Sequence, residues 1–492
     1  MNKSNLLSGL LIMEILLSAC APATGDNGLS YYHQPTAANT PILGALSTPI
    51  PTRPVYKPGE LVDYTAQTGD TLPALATHFN TSVAEILEAN SIIPKDATTM
   101  PPGLPMKIPI YYLPLWGSPN QILPDHAFVN GPTLIGFDTT AFVNSHSGWL
   151  KYYRSYVGGA IRTGAQIVDY VAVNFSVSPR LLLAMLEYQA GALSQAALPD
   201  SPYPLSNKKN IYHRGIYLQL VWAANLLNNG YYGWRTGRLA SFDRPDGQII
   251  RPDPWQNAAS VGVQYYFAEV FSGAEYDHAI GSEGLLKTYR DLFGDPWADP
   301  TILIPGSLQQ PPLNLPFPSS HVWTYTGGPH TGWGQGDPFA AVDFAPPSMH
   351  SGCFEAEEPA TAVSDGIVVR SETAVVVQDL DEDGDERTGW TIFYMHVATP
   401  ERALLGTILK SGDPIGYPSC EGGRTTGTHI HIARKYNGEW IPADGALAFN
   451  LDGWIAHNGS TAYKGTLTRE GHVVTASEYS DYYSQIMASE NP

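Results

Sequence analysis

Two histidines separated by a single residue constrain the fold of this chain more than any other feature. They lie in residues 427–434, Gly-Thr-His-Ile-His-Ile-Ala-Arg, a pattern that predicts a β-strand. Because successive side chains of a strand point to opposite faces, His429 and His431 share one face, about 6.5 to 7 Å apart. That spacing allows one histidine to ligate a metal while the other faces a water on it. A catalytic zinc ion usually takes three protein ligands, so two more must come from elsewhere.

Further candidate ligands occur upstream, on short segments that also predict strands. His330 precedes a Gly-rich loop that leads to Asp343, and His396 ends a run of apolar and aromatic residues. Alternating segments bounded by Gly and Asp turns predict an antiparallel β domain over residues 301–475, followed by a C-terminal tail at 476–492.

These motifs together resemble the zinc peptidases of the lysostaphin and LytM type, family M23. The matching stretches are Val342–Pro346, Tyr394–His396 and Thr426–His431. Position 343 follows position 330 by thirteen residues, whereas most members of that family place these two ligands four residues apart. The Gly-rich stretch between them resembles the β-lytic endopeptidase branch, in which an insertion separates the same two ligands.

The resemblance implies a role for five side chains. The Zn²⁺ ligands would be His330, Asp343 and His431, and the catalytic residues would be His396 and His429. Two neutral imidazoles and one carboxylate leave the ion a net charge of about +1, which acidifies a bound water and polarises a peptide carbonyl. Either His396 or His429 would then be the base, and the sequence leaves that choice open.

Two other features lie near these motifs. Cys353 and Cys420 flank the predicted active site, which predicts a disulfide in an oxidising compartment, with two free thiols as the alternative. The acidic run Asp379–Asp385 begins like a calcium-binding loop. However, Trp390 occupies the position where a bidentate Glu is needed, so we favour an acidic hairpin tip.

Residues 61–110 predict a small strand–helix–helix–strand unit. Asp70 or Thr71 can cap the first helix, and Ser82 has capping-box spacing to Glu85 at the start of the second. The unit resembles a LysM module, which implies binding to glycans that contain N-acetylglucosamine, in bacteria chiefly peptidoglycan. An unrelated helical spacer is the alternative.

Residues 111–300 have helical periodicity and many aromatic side chains. Ser178 and Pro179 predict a helix start, and the helix that follows resembles the one that leads to the catalytic Glu of lysozyme-like lytic transglycosylases. The alignment places Gln189 at that Glu, and an amide cannot act as a general acid. Glu187 lies about 200° away around the helix axis. We therefore predict a non-catalytic domain that holds or spaces glycan strands, or that only packs against its neighbours.

The N-terminus resembles a bacterial lipoprotein signal. A short apolar stretch ends in small residues before Cys20, which implies a signal peptide at 1–19 and a lipid anchor on Cys20. A soluble secreted protein is the alternative. Residues 20–60 are rich in Pro and Thr and predict a semi-rigid tether.

We therefore expect a multidomain α+β protein that faces the cell wall. Its partners would be peptidoglycan, through the LysM module and the peptidase groove, and the membrane, through the anchor. With 27 Lys and Arg against 46 Asp and Glu, the net charge of −19 excludes an electrostatic footprint for nucleic acid. Two alternatives to a peptidoglycan endopeptidase stay open: a non-catalytic wall-binding scaffold or activator, and glycan-strand cleavage by the middle domain.

Overall fold

The computed structural model of the protein describes residues 53–111, 113, 117–206, 212–479 and 481–489. The predicted signal peptide, the lipidation candidate Cys20 and most of the predicted tether lie outside the described residues. Within the described ranges, no helix is both long and apolar enough to cross a membrane.

The first domain has the predicted strand–helix–helix–strand order. Its elements are β1 (Glu60–Thr65), α1 (Leu72–His78), α2 (Val83–Ala89) and β2 (Pro105–Ile110), and the two strands pair in antiparallel fashion. Thr71 rather than Asp70 caps α1, because its side chain accepts from the Ala74 amide. The predicted capping box between Ser82 and Glu85 is present at the start of α2.

The second domain is mainly helical. Its helices are α3 (Asp125–Phe128), α4 (Thr139–Asn144), α5 (Gly164–Phe175), α6 (Pro179–Ala190), α7 (Ile216–Arg235), α8 (Ala258–Val270), α9 (Gly273–Ala279) and α10 (Leu285–Phe293). Two short hairpins interrupt them, β3 (Arg154–Val157) with β4 (Ala160–Thr163), and β5 (Phe242–Asp243) with β6 (Ile249–Ile250). Ser178 caps α6 and Pro179 is its first residue, as predicted.

Strands dominate the third domain. In chain order they are β7 (Val322–Thr331), β8 (Phe339–Ala345), β9 (Ala360–Thr361), β10 (Gly366–Glu372), β11 (Ala374–Asp379), β12 (Trp390–Val397), β13 (Ile408–Leu409), β14 (Pro414–Gly416), β15 (Ile430–Tyr436), β16 (Glu439–Trp440), β17 (Asn450–Leu451), β18 (Trp454–Asn458), β19 (Gly465–Arg469), β20 (His472–Thr475) and β21 (Gln485–Met487).

Nine of these strands form one antiparallel sheet in the order β13-β10-β11-β12-β15-β8-β7-β21, with β16 paired to β15. A four-stranded sheet, β17-β18-β19-β20, and the pair β14-β9 complete the domain. Residues predicted as a C-terminal tail instead supply an edge strand, because β21 pairs with residues Val322–Thr324 of β7 and buries Ile486.

The first domain is fastened to the other two. The Thr68 hydroxyl donates to the Ile304 carbonyl at 3.0 Å and accepts from the Ile304 amide at 2.7 Å. Thr99 makes a similar pair of bonds, to the Pro305 carbonyl and the Leu308 amide. The predicted tether also ends earlier than residue 60, because Arg53 pairs with the buried Asp253 at 2.7 Å.

Candidate metal centre

Three neighbouring strands bring His330, Asp343 and His431 together. In the register of β15 and β8, His431 lies directly opposite Asp343. The register of β7 against β8 shifts before His330, which consequently pairs with Ala341, two residues from Asp343 and on the same face. The β7–β8 hairpin thus brings His330 and Asp343 together in space, although thirteen residues separate them in the sequence.

Three ligand atoms face each other at close range. Nε2 of His330 lies 3.0 Å from Nδ1 of His431. Oδ1 of Asp343 lies 3.3 Å from the first nitrogen and 3.2 Å from the second. All three residues are buried, and Oδ1 of Asp343 has no hydrogen-bond partner.

The opposite ring nitrogens of the two histidines fix which atoms carry hydrogen. Nδ1 of His330 lies 2.9 Å from the Gly328 carbonyl, and Nε2 of His431 lies 3.2 Å from the Gly332 carbonyl. A carbonyl oxygen only accepts, so these two nitrogens donate and their partners in each ring present lone pairs. Two imidazole lone pairs and a carboxylate oxygen therefore converge.

That convergence fits a divalent cation. Three acceptors within 3.3 Å repel each other unless a positive charge lies between them. Zinc bonds of about 2.0 to 2.1 Å in tetrahedral geometry put ligand atoms roughly 3.3 Å apart, which matches the observed separations. The buried carboxylate of Asp343 would supply the anionic oxygen of such a site.

His396 and His429 lie beside this group, with ring centres 4.5 Å apart. Nε2 of His429 is 3.8 Å from Oδ2 of Asp343. In each ring Nδ1 donates to a main-chain carbonyl at 2.8 Å, Glu421 for His396 and Gly427 for His429, so Nε2 keeps its lone pair. Burial and the neighbouring histidines lower the pKa of His396 to about 3, which keeps that ring neutral.

A disulfide joins Cys353 and Cys420, whose Cα atoms are 5.9 Å apart. It links the loop after β8 to the segment that leads to β15. In the same loop, the Gly352 carbonyl accepts from the Thr428 amide at 3.0 Å, and the Phe354 amide donates to the Thr428 hydroxyl at 2.8 Å. These bonds and the disulfide hold the residue before His429 in place.

Tyr463 also lies at the site, although no motif in the surrounding sequence predicts this position. Its ring stacks on His330, with centres 4.1 Å apart and planes inclined by 23°. Burial raises the pKa of Tyr463 to about 12, with a further contribution from Asp343. Tyr463 follows β18 in a connecting turn, far from every motif, so only the folded β18–β19 connection reveals it.

The remaining predicted features lie elsewhere. Asp379 ends β11 and the acidic run connects it to β12, as predicted for a hairpin tip; oxygens of Asp379, Asp381 and Asp383 lie within 4.8 Å of one another. In α6, Gln189 donates to the Tyr266 hydroxyl at 2.7 Å, while Glu187 accepts from the Leu193 and Ser194 amides. Neither α6 residue belongs to the metal centre.

Comparison with known families identifies two regions of the chain. Residues 64–109 match the LysM domain, and residues 121–308 match the N-terminal domain of LasA. Protease LasA from Pseudomonas aeruginosa, strain PAO1, is 25% identical over 337 residues, covering 64% of this chain and 74% of the relative. The protein from strain UCBPP-PA14 is 25% identical over 336 residues, with the same coverage.

Solved structures similar to this chain include two metallopeptidases. Pseudoalterin, an M23 metalloprotease from the deep sea, is 21% identical with a TM-score of 0.29, covering 34% of this chain and 96% of the other. The catalytic domain of lysostaphin from Staphylococcus simulans is 23% identical with a TM-score of 0.18, covering 25% and 89%. For the middle region, the match is to the N-terminal domain of LasA, and its predicted lysozyme-like character stays a prediction.

Proposed function

We propose that this LysM-containing metallopeptidase, a relative of Protease LasA, hydrolyses peptide bonds in the stems or crossbridges of peptidoglycan and uses zinc. The observation that carries the proposal is the convergence of lone pairs from His330, Asp343 and His431 on one point. His396 and His429 lie beside these ligands, each with Nδ1 on a main-chain carbonyl, and Nε2 of His429 is 3.8 Å from Asp343. Peptide hydrolysis needs such a combination of a cation and a proton acceptor.

A zinc ion held by His330, Asp343 and His431 would supply Lewis-acid chemistry, acidifying a water and polarising the scissile carbonyl. The protein's own part is proton transfer and orientation. Nε2 of His429 or of His396 accepts the proton, while Nδ1–H of the same ring stays on its carbonyl partner and prevents the ring from turning. Once it has taken that proton, the Nε2–H of this ring can donate to the developing oxyanion and then to the leaving amine.

The LysM domain would hold the enzyme on the glycan strands. A weak glycan contact raises the effective concentration of the catalytic domain at the wall without changing its chemistry. The bonds from Thr68 and Thr99 to residues 304–308 fix this domain on the segment that leads from the 121–308 domain into the peptidase domain. A lipid on Cys20, which lies outside the described residues, would keep the mature chain at the membrane, facing the wall.

Residues 121–308 would not cleave glycan. The Glu187 carboxylate already accepts two amides of its own chain, and Gln189 replaces the acid that the transglycosylase mechanism needs. We assign this domain a supporting role for the peptidase instead of a second activity.

Digestion of purified peptidoglycan tests the proposal, with fragments identified by mass and with Asp343→Ala as the matched inactive control. New amino termini that appear with the parent protein and not with Asp343→Ala are expected. New reducing or anhydro sugar ends would show glycan cleavage, and unchanged fragments would leave a binding scaffold. Either of these outcomes contradicts the endopeptidase.

A further inference from the structure

The loop that joins β7 to β8, residues 332–338, lies against helix α7 of the preceding domain. Oδ1 of Asn225 accepts from the Gln335 amide at 2.7 Å, and Oδ1 of Asn229 accepts from the Asp337 amide at 2.8 Å. Both asparagines are on one face of α7, four residues apart. This domain therefore supplies hydrogen bonds to a loop of the peptidase domain.

Two amides of the loop, two residues apart, reach two asparagines that are one helical turn apart, about 6 Å along the axis of α7. Glycines at 334 and 336, each with φ of +83°, make the approach possible. A Cβ at Gly334 would lie 2.5 Å from Oδ1 of Asn225, and one at Gly336 would collide with Oδ1 of Asn229. Larger residues at these two positions would separate the loop from the helix.

The other end of the same loop reaches the metal centre. The Gly332 carbonyl accepts from Nε2 of His431 at 3.2 Å, and this bond directs Nδ1 toward Asp343. The Gly332 amide donates to the Pro338 carbonyl at 3.2 Å, which closes the loop. A Cβ at Gly332 would lie 3.0 Å from the Trp440 ring, so the carbonyl has little freedom to move.

We propose that Asn225 and Asn229 are positioning residues of the metal centre, which hold the 332–338 loop so that the Gly332 carbonyl orients His431. The inference rests on the proposed metal site. Partners of a ligand histidine that lie behind it affect metal affinity by about 10- to 100-fold. Because the asparagines act one step further away, through the loop, we expect an effect of about 10-fold.

The test is zinc affinity of the full chain, measured by competition with a chromophoric chelator. Asn225→Leu/Asn229→Leu should bind zinc about 10-fold more weakly than the parent and should shift the visible absorption of the Co²⁺-loaded chain. Asn225→Leu alone should bind zinc more weakly than the parent but more tightly than the double variant. Asn225→Asp keeps an acceptor oxygen at this position, so its zinc affinity should be close to that of the parent. Thermal unfolding of each variant confirms that it is folded.

Asn174 provides a matched control. Like Asn225, it donates to the carbonyl four residues earlier and offers its Oδ1 to the peptidase domain, in this case to Arg370. Arg370 is on β10, three strands from β15, so Asn174→Leu should leave zinc affinity unchanged. Parental affinity in the folded double variant, or an equal loss in Asn174→Leu, would overturn the positioning role. A parent chain that binds no zinc would instead disprove the proposed function.

Discussion

The two faces of the nine-stranded sheet are built from alternate residues of the same strands, yet they are covered by different parts of the chain. One face, with Val342, Tyr394 and Ile432, packs into a core made by the peptidase domain itself. The other, with Phe393 and Ala433, packs against helices of the 121–308 domain. His431 and Asp343 are on this second face, so the face that carries the candidate metal centre is the one that another domain completes.

This difference shows what each face contributes. The first face closes without help, and its apolar alternation makes the sheet stable. The second face carries the candidate metal ligands at one end, and apolar side chains packed over these polar groups would bury them and close the site. Helices from the preceding domain cover the rest of that face and, through Asn225 and Asn229, contact the loop beside the ligands.

The largest contrast is expected between the adjacent residues His431 and Ile432. His431→Ala should abolish zinc retention and hydrolysis, because a site with two protein ligands is no longer defined. Ile432→Ala should keep zinc and activity at low temperature but lower the free energy of unfolding by about 2 to 5 kcal/mol, because it leaves a cavity in the first core. Bound zinc, peptide release and thermal unfolding distinguish the two. If His431→Ala retained zinc, the second face would not supply the metal ligands and the proposed difference between the two faces would be wrong.

A second prediction concerns the cluster that attaches the covering domain. Arg235 of α7 pairs at 2.9 Å with Asp125 of its own domain and at 2.9 Å with Glu439 of β16; both carboxylates are buried, and the arginine side chain is 9% exposed. Arg235→Leu leaves two buried carboxylates without a cation, so we expect a loss of about 3 to 5 kcal/mol in the free energy of unfolding. Lys287→Leu, which breaks the exposed pair with Asp291, should leave the free energy of unfolding nearly unchanged.

The loss in Arg235→Leu should depend on pH. Burial raises the pKa of Glu439 even with Arg235 present, and removal of the arginine raises it further. A raised pKa in the folded state means that the folded form gains protons at acid pH, where the penalty of an unpaired carboxylate disappears. Thermal unfolding at pH 4 and pH 7 should therefore differ more in the variant than in the parent. An equal loss at both values would show that the charges do not hold the domains together.

Part of the candidate metal centre could be predicted from sequence, because residues close together in the sequence determine which face of a strand a side chain is on. The alternation around His429 and His431 fixes their common face without any knowledge of the rest of the fold. LysM caps at Ser82 and the helix start at Ser178 are likewise set by neighbours three residues away. The other three predicted site residues, His330, Asp343 and His396, follow only from the resemblance to the zinc peptidases, and the pairing of distant strands brings them beside these two.

Contacts between distant segments could not be predicted in the same way. Nothing near Tyr463 indicates that it stacks on His330, since both depend on how β7 meets the β18–β19 turn. The asparagines of α7 have ordinary helical spacing, and their role depends on a loop more than a hundred residues later. The edge strand Gln485–Met487 is only three residues long and is exposed at both ends, so its sequence does not distinguish it from a tail without β7.

The last comparison is between two neighbours at the end of β11: Gln378 lies on the first face of the sheet and Asp379 on the second. Both polar atoms of the Gln378 side chain are hydrogen-bonded: Nε2 donates to the Ser364 carbonyl, and Oε1 accepts from the Tyr394 hydroxyl. Burial, together with the nearby Asp381, raises the pKa of Asp379 to about 7. The pKa of an Asp in the unfolded chain is about 3.9. Between about pH 3.9 and pH 7, therefore, Asp379 keeps a proton in the folded state that it has lost in the unfolded state. Stability therefore falls as pH rises through this range.

Asp379→Asn should remove that dependence while its amide oxygen still accepts from the Gly384 amide. We expect the variant and the parent to unfold at similar temperatures at pH 4, and the variant to unfold at a higher temperature at pH 7, with a chelator present in both samples. The parent should also lose stability between these values more steeply than the variant does. A difference in unfolding temperature that is the same at pH 4 and pH 7 would mean that the Asp379 carboxyl titrates alike in the folded and unfolded chains. In that case the two faces would not differ in how they tolerate charge at this end of the sheet.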